Sequence, residues 1–348
     1  MSSDENPGEV RRIQVTGRGS YIVSLPKRWV KERRLDRGEQ VVMTTEDDGS
    51  LLISPRATNK RTEALDTTII VSNNLDLEAL SRRIVSLYLT GFNYIRIKTT
   101  EARFGLAQSD FIRDFARRNL VGTEVVTESP KEVELQVLIS YPELSVENAL
   151  RRMVTITLSM LRDAISALAK KDETVAAEVA NMDDEVDRFG FYLVRQLKTA
   201  AQGRVAVRQI GLGSGRDIIG YRLVAKSVER AADHAAKIAQ NVSLMKQTIS
   251  PKLSERLVKM GEQATKIFED AMISLYKRSY AAAENVLQRM NQFENLEREI
   301  IMETNRQKMD PVQMSSLRLI IESLGRVGEY GSDIAEVVLN LTVADSTE

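Results

Sequence analysis

Residues 222–242 read "RLVAKSVERAADHAAKIAQNV" and residues 318–338 read "RLIIESLGRVGEYGSDIAEVV". Set side by side, Arg222/Arg318, Leu223/Leu319, Ser227/Ser323, Arg230/Arg326, Ile238/Ile334 and Ala239/Ala335 are identical pairs. Upstream, "DAISALAKK" at Asp163 parallels "DAMISLYKR" at Asp270, and "MDDEVDRF" parallels "RMNQFENL". A weak but colinear correspondence of this kind means that one supersecondary unit is used twice.

The unit is helical. From Val146 to about Leu341, apolar residues recur at three- and four-residue spacing, as in "ALRRMVTITLSMLRDAISALAKK", which places them on one face of a helix. Breaks near Lys171, at "QGRVAVRQIGLGSG", near Ile249–Pro251, near Arg278 and before Pro311 leave six helices, two copies of three. A three-helix bundle alone would leave an apolar face open to water, so two stacked bundles are expected.

The chain before Val146 reads differently. Over residues 12–55, "RIQVT" and "YIVSLP" alternate around "GRGS", "KRWVKERRL" allows one or two helical turns, and "EQVVMTTEDDGSLLISP" is a hairpin around "DDG". Residues 66–140 run β-α-β-α-β-β, from "DTTIIV" through a helix ended by Gly91 to a final hairpin around "SPK". That order implies a small open sheet with helices on it. The expected fold is mainly α and multidomain: a small N-terminal β unit (8–57), a small α/β domain (64–141) and two three-helix bundles (145–246 and 250–343).

Composition removes several functions. The 348 residues carry 49 Lys plus Arg against 49 Asp plus Glu, so any binding face must be local. Without cysteine there are no disulfides, thiolate metal sites or thiol nucleophile, and with His234 as the single histidine a His-rich metal site is impossible. No apolar run approaches the roughly 20 residues of a membrane span, and "MSSDENPGEV" lacks the order of a signal peptide. These features predict a soluble, cytoplasmic protein. No arrangement of nucleophile and base emerges, so no enzyme is expected.

Chemistry concentrates in two places. Asp183 and Asp187 stand four apart with Asp184 between them, and Glu229 and Asp233 are four apart on another helix. Such pairs project from one helical face, and two faces together would offer oxygen ligands for a hard divalent cation or iron. A solvated acidic face, with Arg188 and Arg230 as ion-pair partners, remains the alternative. In the second copy Met290 and Gly325 replace the first acid of each pair, leaving Glu294, Glu329 and the out-of-frame Asp333 as a weaker second site. His234 is either a further ligand or a structural hydrogen-bonding residue. "IGLGSGRDIIG" (210–220) lacks the Lys-Ser/Thr of a phosphate loop and reads as an interhelical connection.

The second place is the N-terminus. Between Arg11 and Arg37 lie nine basic side chains and two acids, Glu32 and Asp36. Basic residues on strand ends and turns are the footprint of a phosphate-backbone reader. An ordinary solvated surface is the alternative. Trp29 and Tyr21 are expected in the core.

With these residues in view, "RRIQVTGRGSYIVSLPKRWV", "LDRGEQVVM" and "DDGSLLISP" resemble the AbrB/SpoVT family of swapped-hairpin DNA-binding domains. The resemblance implies a homodimer whose double-stranded DNA contacts come from Arg11, Arg12, Arg18, Lys27, Arg28 and Lys31. Residues 146–343, through "MDDEVD" and "VERAADHAAKIAQ", resemble the PhoU family of phosphate-uptake regulators. That resemblance implies a divalent metal or iron on Asp183, Asp184, Asp187, Glu229 and Asp233. An AbrB-like head on a PhoU-like body is typical of archaeal phosphate-uptake regulators. It implies a transcriptional regulator that senses a metal or a phosphate-linked signal. The other reading is an adaptor that docks on a phosphate transporter or signalling protein without touching DNA.

Overall fold

The computed structural model describes residues 9–17, 19–45, 49–56, 65–139 and 144–343. The chain divides into two compact units, 1–63 and 64–348.

In the first unit, β1 (Gln14–Thr16) pairs antiparallel with β2 (Ser20–Ile22). Pro26 opens α1 (Lys27–Glu32), and β3 (Val41–Thr45) pairs antiparallel with β4 (Leu51–Pro55). The strands reverse near Gly49, whose φ of 79° suits a residue without a Cβ; Asp47 and Asp48 lie outside the described residues. One chain therefore gives two separate hairpins rather than a closed barrel. None of the unit's described residues is buried. Trp29 is half-buried, but Tyr21, expected in the core, is 77% exposed. Two short hairpins have no second layer to set against it.

The second unit begins with the α/β segment. β5 (Asp66–Val71) runs parallel to β6 (Tyr94–Thr99), joined through α2 (Leu77–Thr90). Asp76 caps α2, its carboxylate accepting from the Ala79 amide at 3.1 Å, and Gly91 ends it with φ 101°. After α3 (Leu106–Asn119), β7 (Thr123–Ser129) and β8 (Glu132–Val137) complete a sheet of order β5-β6-β8-β7. Residues of strict alternation such as Ile95, Ile97, Val133, Leu135 and Val137 face Leu80, Ile84 and Tyr88 of α2 and Ile112 of α3 in a core of their own.

The helical body is α4 (Val146–Lys170), α5 (Glu173–Ala180), α6 (Asp183–Ala201), α7 (Gly215–Leu244), α8 (Pro251–Lys277), α9 (Tyr280–Asn305) and α10 (Pro311–Thr342), with a short 3₁₀ turn at Val207–Ile210. The repeat is visible in the backbone. Lys171 and Arg278, at matching positions, end α4 and α8 in the left-handed conformation, with φ 53° and 47°. Asp172 and Ser279 then cap the next helices. Both bundles share one apolar core, as expected of units that cannot bury their faces alone.

Seven α-helices stand where six were expected, because the first copy's middle helix breaks at Asn181–Met182 while α9 runs unbroken. The Asn181 side-chain amide donates to the Ala177 carbonyl at 3.0 Å, competing with the helix ladder. Asp183, Asp184 and Glu185 then occupy the first turn of α6, where acids favour a new N-terminus. The second copy has Met290, Asn291 and Gln292 there.

The α/β segment is fastened to the body by α6. The fully buried Arg195 donates to the carbonyls of Tyr88 and, at 3.2 Å, of Gly91, satisfying the C-terminal end of α2. Its guanidinium sits 5.0 Å from the Tyr88 ring centroid, and Arg204 donates to the Thr90 carbonyl at 3.2 Å.

Candidate functional site

The first copy brings its acids together. Asp183 and Asp187 project from the first turns of α6 towards Glu229 and Asp233 of α7. Burial pushes the Asp183 carboxyl up to about 6, helped by the charge of Asp233 and a hydrogen bond with it. Burial and then the Glu229 charge push Asp187 up to about 7, and the same two causes raise Asp233. Burial and the repulsion between neighbouring carboxylates both favour the protonated forms. Lys226 offsets part of the charge through a 2.5 Å ion pair with Glu229.

Asp184 does not join them. It lines a hollow between α3 and α6 with Phe111, Phe115, Arg117 and Arg188. Arg188 pairs with Glu185 at 3.7 Å, and Arg230 acts on Asp333 of the second copy. Among the described residues no ion pair joins Arg188 or Arg230 to Asp183, Asp187, Glu229 or Asp233. Among the described residues no three acidic or histidine side chains stand close enough to hold a metal ion as placed. The buried Oδ1 of Asp183 has no hydrogen-bond partner among the described residues.

The second copy holds a residue that sequence reading missed. Glu297 of α9 lies over Gly325 of α10, so that a Cβ at 325 would come 2.5 Å from its Oε1. Burial, then the charges of Glu329 and Glu294, raises its pKa. The repeat aligns Glu297 with Gly190 and Gly325 with Glu229. The glutamate has changed helices between the copies, and that reciprocal exchange was the signal available in the sequence. Glu294, Glu329 and Asp333 are exposed, and Glu329 pairs with Arg326 at 2.6 Å.

His234 stands apart from the acids. Its ring lies 5.8 Å from that of Tyr330, the residue matching it in the second copy, so equivalent positions of α7 and α10 face each other. Burial, then Lys237 and Arg326, pushes it down to about 4, which keeps it neutral.

Of the predicted DNA contacts, Arg11, Arg12, Lys27, Arg28 and Lys31 are exposed. Arg18 lies outside the described residues. Arg28 pairs with Glu32 at 2.7 Å and Arg11 with Glu9. Lys27, Arg28 and Lys31 share the one short helix α1.

The helical body uses one three-helix unit twice, each copy with acidic residues, and follows a two-hairpin unit in the sequence. Residues 150–242 and 257–338 match the PhoU domain, and residues 14–61 match the family described as antidote-toxin recognition MazE, bacterial antitoxin. The chain belongs to the PhoU family and carries a MazE/AbrB-like domain at its N-terminus. It is 21% identical over 203 residues to a phosphate-specific transport system accessory protein PhoU homolog of Clostridium acetobutylicum, covering 56% of this chain and 90% of that one. A homolog of the same description from Pseudomonas aeruginosa is 25% identical over 201 residues, 56% and 81% of the two chains. The crystal structure of PhoU from Pseudomonas aeruginosa superposes with a TM-score of 0.52 at 22% identity, over 57% of this chain and 96% of that one. Among the described residues no helix is long and apolar enough to cross a membrane.

Proposed function

We propose that this chain is a dimeric, DNA-binding regulator of phosphate uptake whose helical body senses a divalent cation or a phosphate-linked signal. The observation that carries the reading is the first unit, in which no described residue is buried while Val10, Ile13, Val15, Tyr21 and Leu52 are more than half exposed. Apolar area of that extent needs a cover, and a second copy interleaving its hairpins supplies one. The dimer would present Arg11, Arg12, Arg18, Lys27, Arg28 and Lys31 twice, and two-fold symmetry suits a palindromic site.

Gel-shift titration against the chain's own upstream region tests this. Arg12→Ala with Lys27→Ala should weaken binding and flatten the salt dependence by about 0.9 per lost phosphate contact. An unchanged affinity and slope would remove the DNA assignment.

The relatives' description as transport accessory proteins favours a second reading: an adaptor that contacts a phosphate transporter or signalling protein, with the hairpins serving only to dimerise. Co-purification of a transporter subunit, unaffected by Arg12→Ala and Lys27→Ala, would favour the adaptor.

Asp183, Asp187, Glu229 and Asp233 are the residues that would hold a divalent cation or iron, with Glu294, Glu297, Glu329 and Asp333 as the weaker set. The lone Oδ1 of Asp183 and the mutual repulsion of the carboxyls fit a hard cation. Closure to coordinating distance would require the side chains to shift, since they do not converge as they stand. Bound, the ion would offset that repulsion and join α6 to α7.

A further inference from the structure

The sheet of the second unit has two edges, and they are built differently. β7 carries a bulge between Val125 and Thr127 and the acids Glu124 and Glu128, devices that blunt an edge against added strands. β5, "DTTIIV", has no bulge and no proline, and its one charge, Asp66, is held by Arg96 at 2.9 Å. Among the described residues no backbone hydrogen bond leaves the outer side of β5. Ile70 on this strand is 64% exposed. Beside it a hollow of about 430 Å³ separates β5 from α2, lined by Ile69, Ala79, Arg82, Arg83, Ser86 and Leu87. An edge of this composition, flanked by an open and partly apolar hollow, is built to receive a strand.

We propose that β5 pairs antiparallel with β5 of a second copy of this chain, continuing the four-stranded sheet across a two-fold axis. The inference rests on the two-chain reading of the N-terminal unit, which supplies the partner. From Pro55 at the end of β4 to Asp66 at the start of β5 is eleven residues, a reach of at most about 40 Å. Two chains held at the first unit therefore meet β5 to β5 at an effective concentration on the order of millimolar. A free strand from another protein has no such advantage.

The strand also matches itself, as an isologous contact requires. Opposed residues of an antiparallel pair share a face. With the axis at Ile69, Thr67 meets Val71 and Ile69 meets itself on the core side, while Thr68 meets Ile70 on the other; with the axis at Ile70, Ile69 meets Val71 and Ile70 meets itself. In either register Asp66 stands clear of its own copy. The pairing covers Ile70 and sets the hollow beside Leu87 against its symmetry mate.

The absence of cysteine from the chain makes the test direct. Ile70→Cys in the full-length protein is treated with a bismaleimide spanning about 8 Å, the reach of a direct or diagonal cross-strand neighbour. Val126→Cys on β7, 45% exposed, serves as the control. Sedimentation of the unmodified protein reports the N-terminal reading separately. Covalent dimer forming at least about ten times faster from Ile70→Cys than from Val126→Cys is the expected result. A sedimenting dimer with equal cross-linking of the two variants overturns the β5 contact and leaves the N-terminal reading intact. A sedimenting monomer overturns both. If the thiol of the Ile70→Cys variant were shielded from monofunctional maleimide yet not cross-linked, a different segment would cover the edge, and that overturns the inference as well. Adding Thr68→Pro to Ile70→Cys, which removes a ladder donor, should reduce the cross-linking at least about ten-fold while sedimentation still gives a dimer.

Discussion

In the first helical copy the glutamate between the second and third helices is Glu229 of α7, and glycine stands at 190; in the second it is Glu297 of α9, and glycine stands at 325. A matched exchange of glycine and glutamate keeps one carboxylate in each bundle while moving its anchor to the other helix. The two copies differ again where α6 meets the α/β segment. Arg195 is buried there against the end of α2, whereas the matching residue of α9, Met302, is 59% exposed. The repeat thus preserves the scaffold and the charge, while the first copy alone is committed to a neighbour.

The largest expected effect comes from erasing that commitment. Arg195→Met, which copies the second bundle into the first, leaves the Tyr88 and Gly91 carbonyls without this donor and should cost about 4 kcal/mol. The reverse change, Met302→Arg on an exposed surface, should stay within about 0.5 kcal/mol. Chemical denaturation of the two variants checks both.

Next is the exchange itself. Gly325→Glu forces a side chain into the space of Glu297 and should cost about 3 kcal/mol through overpacking and like charge. Adding Glu297→Gly rebuilds the first copy's arrangement and should recover most of that loss. If the double variant were as unstable as the single one, the two positions would not compensate each other.

The acids also predict a pH dependence. In the folded chain Asp183 and Asp187 hold protons up to about 6 and about 7, against an ordinary value of 3.8. Between 3.8 and about 7 the folded state binds more protons than the unfolded one, so metal-free stability falls as pH rises through that window. After solvent screening the fall should be about 2 kcal/mol. Asp187→Asn should flatten it, as seen in thermal melts on either side of that window, at about pH 4.5 and about pH 7.5.

Smallest is the effect on cation affinity. If the proposed cation site forms on the first copy, Asp187→Asn should weaken it about ten-fold, or about 1.4 kcal/mol, in isothermal titration. Glu297→Gln should leave that site unchanged and affect only the weaker one. A variant at 297 that weakened the tighter site would reverse the ranking of the two bundles.

Much of this architecture could be read from residues alone. The apolar spacing after Val146 and the paired segments at Arg222 and Arg318 specify helices and their repetition, because a 3.6-residue period leaves few other solutions. Asp183, Asp187, Glu229 and Asp233 were legible for the same reason: an i, i+4 spacing settles which face a side chain takes. Glu297 was not, because it fills a space created by the absence of a side chain on another helix. Asp184 lines the hollow by α3 instead, because the residue after Asp183 on a helix points about 100° away from it.

Local sequence thus determined the elements, the doubled body and the acidic faces, since helix period, caps and turn chemistry act within a few residues. Only the tertiary structure decided that α5 and α6 part at Asn181 to begin a helix on acids, that Arg195 fastens the α/β segment, and that Glu297 replaces Glu229. It decided as well that Tyr21 and its neighbours lie open within one chain and that β5 is an unguarded edge. Those outcomes depend on which surfaces meet, and burial between distant segments is set by the whole fold rather than by any one stretch of it.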